Sequence, residues 1–226
     1  HLIKKYFTNE IYPIVSLKDA IDVHDVLCLY TYHPVYVPLT MDEWEKYKTL
    51  RKNLARASDD DVKEIIIYEI CRLKANASEK INAVGEYLRK NDDSGKSWLF
   101  FCGSGNILNS TSEIDENETC RQIDQLYDLV SKEFNMNVFK FTYETPKERR
   151  RWSLEALADG DLDGIIAMNC LDEGIDVPSV NNVFLLSSST NERQFIQRRG
   201  RVLRKDKNNP GKIAKICALL IHPPLE

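Results

Sequence analysis

The chain lacks any long hydrophobic run. No segment approaches the roughly 18 consecutive apolar residues that a membrane-spanning helix requires. Its six cysteines, at positions 28, 71, 102, 120, 170 and 217, form no Cys-x-x-Cys pair and have no histidine pair beside them. Neither a zinc site nor a disulfide framework is expected, and scattered cysteines are typical of a reducing compartment. We predict a cytoplasmic protein with no metal ligands in this chain and no membrane partner.

The chain also lacks an excess of positive charge and an initiator methionine. Its 31 basic and 35 acidic residues give a net charge of −4, whereas a domain dedicated to nucleic acid is usually basic. A neutral body can still carry a local basic groove, so nucleic acid stays a candidate partner. The chain begins with histidine and ends in Pro-Pro-Leu-Glu, which favours a fragment of a longer protein. The 226 residues fit one large domain, or one domain with an appended segment.

A complete phosphate-binding loop is missing as well. Residues 94–97 read Ser-Gly-Lys-Ser, but the Gly-x-x-x-x-Gly-Lys-Ser/Thr pattern needs a glycine where the chain has Lys90. The segment also precedes an apolar run, whereas such a loop follows a strand and opens a helix. Residues 165–173 end in Asp-Glu like a magnesium-binding strand, but Asn169 interrupts their apolar run. We interpret the first segment as a turn and disfavour the magnesium-binding interpretation of the second.

What the chain does contain is an alternation of strands and helices. Short apolar runs of this length suit strands that are buried on both faces of a parallel sheet. They lie at residues 98–102, 138–141, 164–168, 183–186 and 213–221. Helical patterns separate them, at residues 119–134, 146–157 and 192–199, and Thr145 is expected to cap the helix that begins at Pro146. This alternation predicts an α/β domain with a doubly wound, mainly parallel sheet.

The first 90 residues are predicted to be more helical. A helical stretch near residues 16–23 and a strand at 35–39 precede Thr40-x-x-Glu43, a capping box that opens a helix to about Ala57. Apolar residues at helical spacing continue over 62–73 and 78–89. We therefore divide the chain into a lead-in (1–39), a helical arm (40–90) and a core domain (91–226).

An arginine-rich segment carries the clearest chemical signal. On a helical wheel one face holds Gln194, Gln197, Arg198 and Arg201. Gly200 is expected to end the helix, which would place Arg201 and Arg204 on a turn. The planar, permanently charged arginine fork can hold phosphate oxygens at two points. A solvated basic face with no specific ligand is the alternative interpretation of the segment alone.

The motifs together resemble those of superfamily 2 helicases. Residues 197–204, Gln-Arg-Arg-Gly-Arg-Val-Leu-Arg, resemble motif VI, especially its form in XPB-like excision-repair helicases. Residues 170–178, Cys-Leu-Asp-Glu-Gly-Ile-Asp-Val-Pro, resemble motif V of bacterial DNA helicases and restriction-type translocases. Residues 98–102 resemble motif IV, and Phe141-Thr142 with the later Glu148-Arg149-Arg150 resembles the motif between IV and V. The resemblance implies that the sheet is the second, C-terminal RecA-like domain of a DNA helicase.

The resemblance also implies roles for individual residues. Arg201 and Arg204 would be arginine fingers, which stabilise charge on a transferred phosphoryl group. Residues on the nucleotide side would be Gly174, Asp176, Gln197 and Arg198, with Asp176 at the ATP ribose. Contacts to the nucleic-acid backbone would come from Gly103, Ser104, Thr142 and Asn169. Many relatives have threonine where this chain has Met168, and Asn169 is the substitute candidate for that phosphate contact.

The expected partners follow from the same resemblance. ATP and Mg²⁺ would be bound mainly by a first RecA-like domain outside this chain, so we expect the chain alone to be inactive. DNA is the expected track, although these motifs do not exclude RNA. The alternative is a non-catalytic RecA-like module that acts as a scaffold for nucleic acid or protein. Such a module would have no use for two arginine fingers.

Overall fold

A six-stranded sheet forms the centre of the protein. The computed structural model describes residues 17–91, 97–102, 116–168, 180–186, 200, 202–206 and 209–224. The strands are β1 (Leu29–Pro38), β2 (Trp98–Cys102), β3 (Val138–Phe141), β4 (Gly164–Met168), β5 (Asn182–Leu185) and β6 (Ile213–His222). Every pairing between these strands is parallel. The predicted parallel α/β sheet is confirmed.

The order of the strands reverses direction at β2. They lie in the order β1-β6-β5-β2-β4-β3, so β2 is flanked by β4 on one side and β5 on the other. The chain moves to one side of β2 through β3 and β4, and to the other side through β5 and β6. In open α/β sheets, ligands bind outside the carboxyl ends of the strands at such a reversal of direction.

Helices cover both faces of the sheet. Their bounds are α1 (Leu17–Asp22), α2 (Met41–Arg56), α3 (Asp60–Ala75), α4 (Lys80–Lys90), α5 (Glu116–Asp128, continued by a π-helical turn over Leu129–Glu133) and α6 (Lys147–Asp159). One apolar cluster joins α4 and α5 to the sheet face formed by Trp98, Phe100 and Phe184. The second cluster joins α6, Val202 and Leu203 to the opposite face. The sheet is therefore doubly wound, as the sequence pattern indicates.

Local signals place the arm helices α2 and α3. Thr40 and Glu43 form the predicted capping box, in which each side chain accepts a hydrogen bond from the other's backbone N–H. Asp59 caps α3 by accepting a hydrogen bond from the Val62 N–H at 3.1 Å. The two helices pack against each other, whereas α4 packs on the sheet through Val84 and Leu88. The domain boundary placed at residues 90 and 91 stays a prediction.

Strand β1 is longer than the sequence pattern predicted. It covers ten residues, pairs along its whole length with β6 and includes Pro34. Proline donates no backbone hydrogen bond, and β1 tolerates it because the strand lies at the edge of the sheet. The expected lead-in thus contributes a strand to the sheet, while its boundary at residue 39 stays a prediction.

Two expected helix ends are wrong by a few residues. Thr145 was predicted to cap α6, but the helix begins at Lys147 and its N-cap, Pro146, makes no capping side-chain bond. The Thr145 hydroxyl instead accepts a hydrogen bond from the Thr142 N–H. Gly200 was predicted to end the arginine-rich helix, but both Gly200 and Val202 are helical, with a turn at Leu203. A glycine outside the left-handed region of φ does not terminate a helix by itself.

Candidate nucleotide and nucleic-acid site

The carboxyl ends of β2, β3 and β4 lie side by side. Cys102 is in register with Met168, and Phe141 is in register with Ala167. The residue that follows each strand in sequence is a predicted nucleic-acid contact: Gly103, Thr142 and Asn169. Gly103, Ser104 and Asn169 lie outside the described residues, whereas Thr142 lies within them. The register brings three motifs that are far apart in sequence to one edge of the sheet.

Thr142 opens a tight turn directly after β3. Its carbonyl accepts a hydrogen bond from the Thr145 N–H at 3.2 Å, and its own N–H donates to the Thr145 hydroxyl at 2.9 Å. The two hydroxyl oxygens are 3.5 Å apart. These hydrogen bonds constrain the backbone of Thr142. The residue is half-buried, so part of it stays accessible.

Arg150 organises this turn from helix α6. Its guanidinium donates to the carbonyls of Thr145 at 2.7 Å, Tyr143 at 2.7 Å and Thr142 at 3.3 Å. The same group lies over the Phe141 ring, 5.3 Å from its centroid. Arg150 belongs to the motif predicted between IV and V, and the structure gives it an intramolecular role.

Met168 stands where the resemblance implies a threonine in many family members. The side chain is 8% exposed and belongs to the apolar cluster that includes Phe100 and Leu126. A thioether is at most a weak hydrogen-bond acceptor and donates none, so it cannot replace the threonine hydroxyl of many relatives. Asn169, the next residue, stays the predicted substitute.

The arginine-rich segment is described only at its C-terminal end. Val202 and Leu203 are fully buried, and Arg204 is exposed next to them. The backbone of Arg204 forms an antiparallel bridge with Leu27, just before β1. The other predicted nucleotide-side and finger residues lie outside the described residues: Gly174, Asp176, Gln197, Arg198 and Arg201.

Gly200 stands out because the described chain does not require a glycine there. A Cβ built on it meets no atom of the described structure within 4 Å, and its φ is outside the left-handed range. Glycine within a helix is unfavourable relative to alanine by about 1 kcal/mol. Within the described structure, no close contact and no left-handed φ therefore requires a glycine at position 200.

Two buried lysines were missed by sequence reasoning. Lys80 is 2% exposed and donates to the carbonyls of Leu186 at 2.7 Å and Ala75 at 2.8 Å. Lys212 is 4% exposed and donates to the carbonyls of Val202 and Arg204. Spacing carried a signal in both cases: Lys80 shares its helical face with Val84 and Leu88, and Lys212 alternates with Ala214 and Ile216.

Burial changes the protonation of the groups around Lys80. Desolvation lowers the pKa of Lys80 to about 7, although the neighbouring Cys102 and Glu43 act in the opposite direction. Burial raises the pKa of the Cys102 thiol to about 12. Cys102 is the last residue of β2, and Leu186 directly follows β5. Lys80 therefore lies at the carboxyl edge of the sheet, the same edge that carries the predicted nucleic-acid contacts.

The segment that resembled a phosphate loop has the wrong context. Strand β2 begins at Trp98, directly after Ser97, so a strand follows the Gly-Lys-Ser sequence instead of preceding it. Residues 92–96 themselves lie outside the described part. Within the described ranges, no three His, Cys, Asp or Glu side chains are grouped to hold a metal ion. Nor is any helix of those ranges long and apolar enough to cross a membrane.

The parallel, doubly wound sheet defines the class: a RecA-like α/β domain. The model of the helicase conserved C-terminal domain matches residues 79–206, more than half of the chain. The chain belongs to this family and is the C-terminal RecA-like domain of a superfamily 2 helicase.

Individual relatives agree with this assignment. The DNA 3'-5' translocase XPB2 of Sulfurisphaera tokodaii is 30% identical over 210 residues, covering 85% of this chain and 44% of the relative. This chain thus spans less than half of that protein's length. The Sulfolobus solfataricus SWI2/SNF2 ATPase core in complex with dsDNA has a TM-score of 0.60 at 15% identity, covering 85% of this chain and 41% of that one. The C-terminal domain of a Sulfolobus solfataricus SWI2/SNF2 ATPase gives 0.53 at 14% identity, covering 85% and 79%. At these identities the two structures support the fold alone.

Proposed function

We propose that this chain is the C-terminal motor domain of an ATP-dependent DNA helicase or translocase. In this proposal Arg201 and Arg204 are arginine fingers, and the loops after β2, β3 and β4 hold the backbone of a DNA strand. Phosphate and sugar contacts of this kind position a strand without reading its sequence.

The observation that carries the proposal is the construction of the arginine segment. Val202 and Leu203 are fully buried between the two proposed fingers, which anchors the segment in the core. Arg204 is exposed at the end of this anchor. A finger must present an exposed, charged side chain from a rigid backbone, because small displacements at a reacting centre slow the reaction steeply.

The nucleotide would be shared with a first motor domain. ATP would supply the phosphoryl group, and Mg²⁺ would neutralise charge on its phosphates, held by the P-loop and acidic box of that domain. Arg201 and Arg204 suit the side of the nucleotide that faces away from that domain, since their role needs permanent positive charge and no metal ligands. Gly174, Asp176, Gln197 and Arg198 are the proposed nucleotide-side residues of this chain.

DNA is the proposed track because the XPB2 relative is a DNA translocase and a structure of similar fold was solved with dsDNA. Thr142 lies on the constrained turn at the edge of the sheet, which suits a contact to a phosphate. Gly103, Ser104 and Asn169 follow the neighbouring strand ends in sequence and complete the proposed track.

The finger assignment can be tested in a protein that contains both motor domains. Arg201→Ala and Arg204→Ala should each lower the DNA-stimulated ATPase rate by about 10³-fold or more, because a finger contributes about 10³–10⁵. DNA affinity without nucleotide should stay within twofold. Arg56→Ala, in the last turn of α2, is the control and should retain its ATPase. An unchanged rate in both finger variants would refute the assignment and favour a scaffold.

A further inference from the structure

Lys212 lies between the arginine segment and strand β6. It directly precedes Ile213, the first residue of β6, and is 4% exposed. Its Nζ donates to the carbonyl of Val202 at 2.6 Å and to the carbonyl of Arg204 at 3.1 Å. These two residues flank Leu203 at the end of the arginine-rich helix.

A buried ammonium at this position has a defined electrostatic partner. The last carbonyls of a helix accept no hydrogen bond from within the helix, and they carry partial negative charge. Lys212 donates to one such carbonyl, that of Val202, and to the carbonyl of Arg204 beyond the helix, which offsets part of the cost of removing its charge from water. Alternation along β6 places Lys212 on the same sheet face as Ala214 and Ile216, where an apolar residue would pack equally well. Hydrophobic packing therefore does not explain the lysine.

The carbonyl of Leu203, which lies between those of Val202 and Arg204, also accepts a hydrogen bond. Leu203 accepts a hydrogen bond from the Cys28 N–H at 2.7 Å, and Leu27 forms a bridge with Arg204. Beside this bridge, Lys205 makes an ion pair with Asp25. Three successive carbonyls, those of residues 202–204, thus receive donors from two other parts of the chain.

We propose that Lys212 is a positioning residue that sets the backbone from which Arg204 reaches the nucleotide. The proposal rests on the proposed function for its catalytic consequence, but the anchoring itself is independent of that function. Lys212 donates to the carbonyls on both sides of Leu203, so the backbone that carries Arg204 is held at the residues directly before it and at Arg204 itself. Without its ammonium, Val202 and Leu203 would stay buried while the turn at Arg204 would sample other conformations.

The backbone amide of Cys28 reports the anchoring directly, since it donates to Leu203. In the 226-residue chain, Lys212→Met should accelerate hydrogen exchange of this amide at least tenfold by NMR. The Leu186 amide, which donates to Phe101 across the sheet, should change by less than twofold. Lys147→Met, at an exposed lysine of α6, is the matched control and should change neither amide. Unchanged exchange at Cys28 would overturn the proposal.

Catalysis separates positioning from simple stability. In a protein with both motor domains, Lys212→Met should lower kcat for ATP at least tenfold while leaving KM within threefold, and Lys212→Arg should restore part of kcat. A Met variant with faster exchange at Cys28 but an unchanged kcat would overturn the positioning role. If Lys212→Met does not fold, Lys212→Gln, which can still donate one hydrogen bond, is read by the same two measurements. Failure of both Arg201→Ala and Arg204→Ala to affect the ATPase would refute the fingers, whereas the Cys28 amide would still decide the anchoring.

Discussion

At the scale of single residues, Gly200 separates what folding needs from what function needs. Nothing in the described structure lies within 4 Å of a Cβ at this position, and its φ suits any residue. Gly200→Ala should therefore leave the free energy of unfolding unchanged or raise it by up to about 1 kcal/mol, because alanine favours the helix. Urea unfolding of the chain measures this change.

Gly164 is the matched comparison for Gly200. A Cβ there would lie 3.0 Å from the Trp98 carbonyl oxygen and 3.2 Å from the Trp98 Cβ, inside the sheet. Gly164→Ala should lower the free energy of unfolding by about 1–3 kcal/mol through overpacking. With both motor domains present, we expect Gly200→Ala to reduce the ATPase in spite of its normal stability, because the open space at Gly200 suits a close approach of the nucleotide or the first domain. A destabilised Gly200→Ala would contradict this interpretation.

Lys80 should make stability depend on pH. Its pKa falls from 10.5 to about 7 on folding, so between pH 7 and 9 the unfolded chain binds a proton that the folded chain does not. The free energy of unfolding should therefore rise with pH in this window, by up to about 1.4 kcal/mol per pH unit from this group. The opposite contribution of Cys102 starts only near pH 9, since its pKa rises from 9.0 to about 12 on folding.

Removal of the amine tests this assignment. Urea unfolding at a series of pH values should show that Lys80→Met lacks the rise, whereas Lys147→Met, at an exposed lysine, keeps it. Equal pH slopes in the wild-type chain and Lys80→Met would show that the buried amine stays protonated in the folded state. In that case its bonds to the Leu186 and Ala75 carbonyls would outweigh desolvation.

Single residues also mark the limit of sequence reasoning. Arg204 and Thr142 were predicted as site residues from motif resemblance, and both lie where their neighbours hold the backbone in place. Lys80 and Lys212 were missed because a lysine within an otherwise apolar pattern is usually exposed to solvent. Their burial depends on carbonyls that come from elements 10 or 106 residues away, which local spacing does not reveal.

At the scale of elements, the turn between β3 and α6 depends on Arg150. The arginine donates to three carbonyls of residues 142–145. Arg150→Ala should lower the free energy of unfolding by about 1–3 kcal/mol, since it removes three hydrogen bonds, one of them to the partly buried Thr145 carbonyl. It should also accelerate exchange of the Thr145 amide, which closes the turn. Arg149→Ala, at the exposed neighbouring position, should change stability by less than about 0.5 kcal/mol. A similar decrease in the free energy of unfolding of both variants would show that the loss of stability arises in helix α6 and not in the turn.

The elements that were easiest to predict are those decided by local composition. Strands β2, β3 and β4 match the predicted runs because short apolar segments buried on both faces have few alternatives. Strand β1 was predicted at only half its length, since Pro34 interrupts the pattern and its partner β6 lies about 180 residues later. The start of α6 was misplaced because the Thr145 hydroxyl bonds back to Thr142 and not forward into the helix.

At the scale of the whole molecule, the sheet joins segments from both ends of the described chain. Strand β1 pairs with β6 over ten residues, and the segment just before it anchors the end of the arginine helix through Cys28. The part of the chain expected to be a lead-in is thus in contact with the proposed catalytic segment. The contact is made by backbone groups: the Cys28 N–H donates to the Leu203 carbonyl, and Leu27 forms a bridge with Arg204.

Deletion of the predicted lead-in tests whether β1 belongs to the cooperative unit. Removal of residues 1–39 should lower the free energy of unfolding by about 3–6 kcal/mol, because Val37 and Leu39 are buried and each contributes about 1.5–3 kcal/mol. It would also leave β6 as an open edge, which promotes association of chains. Removal of residues 1–16 alone keeps every described contact and is the control. Urea unfolding and sedimentation measure both effects. An unchanged midpoint and a monomeric state after removal of 1–39 would place the domain boundary where the sequence predicts it.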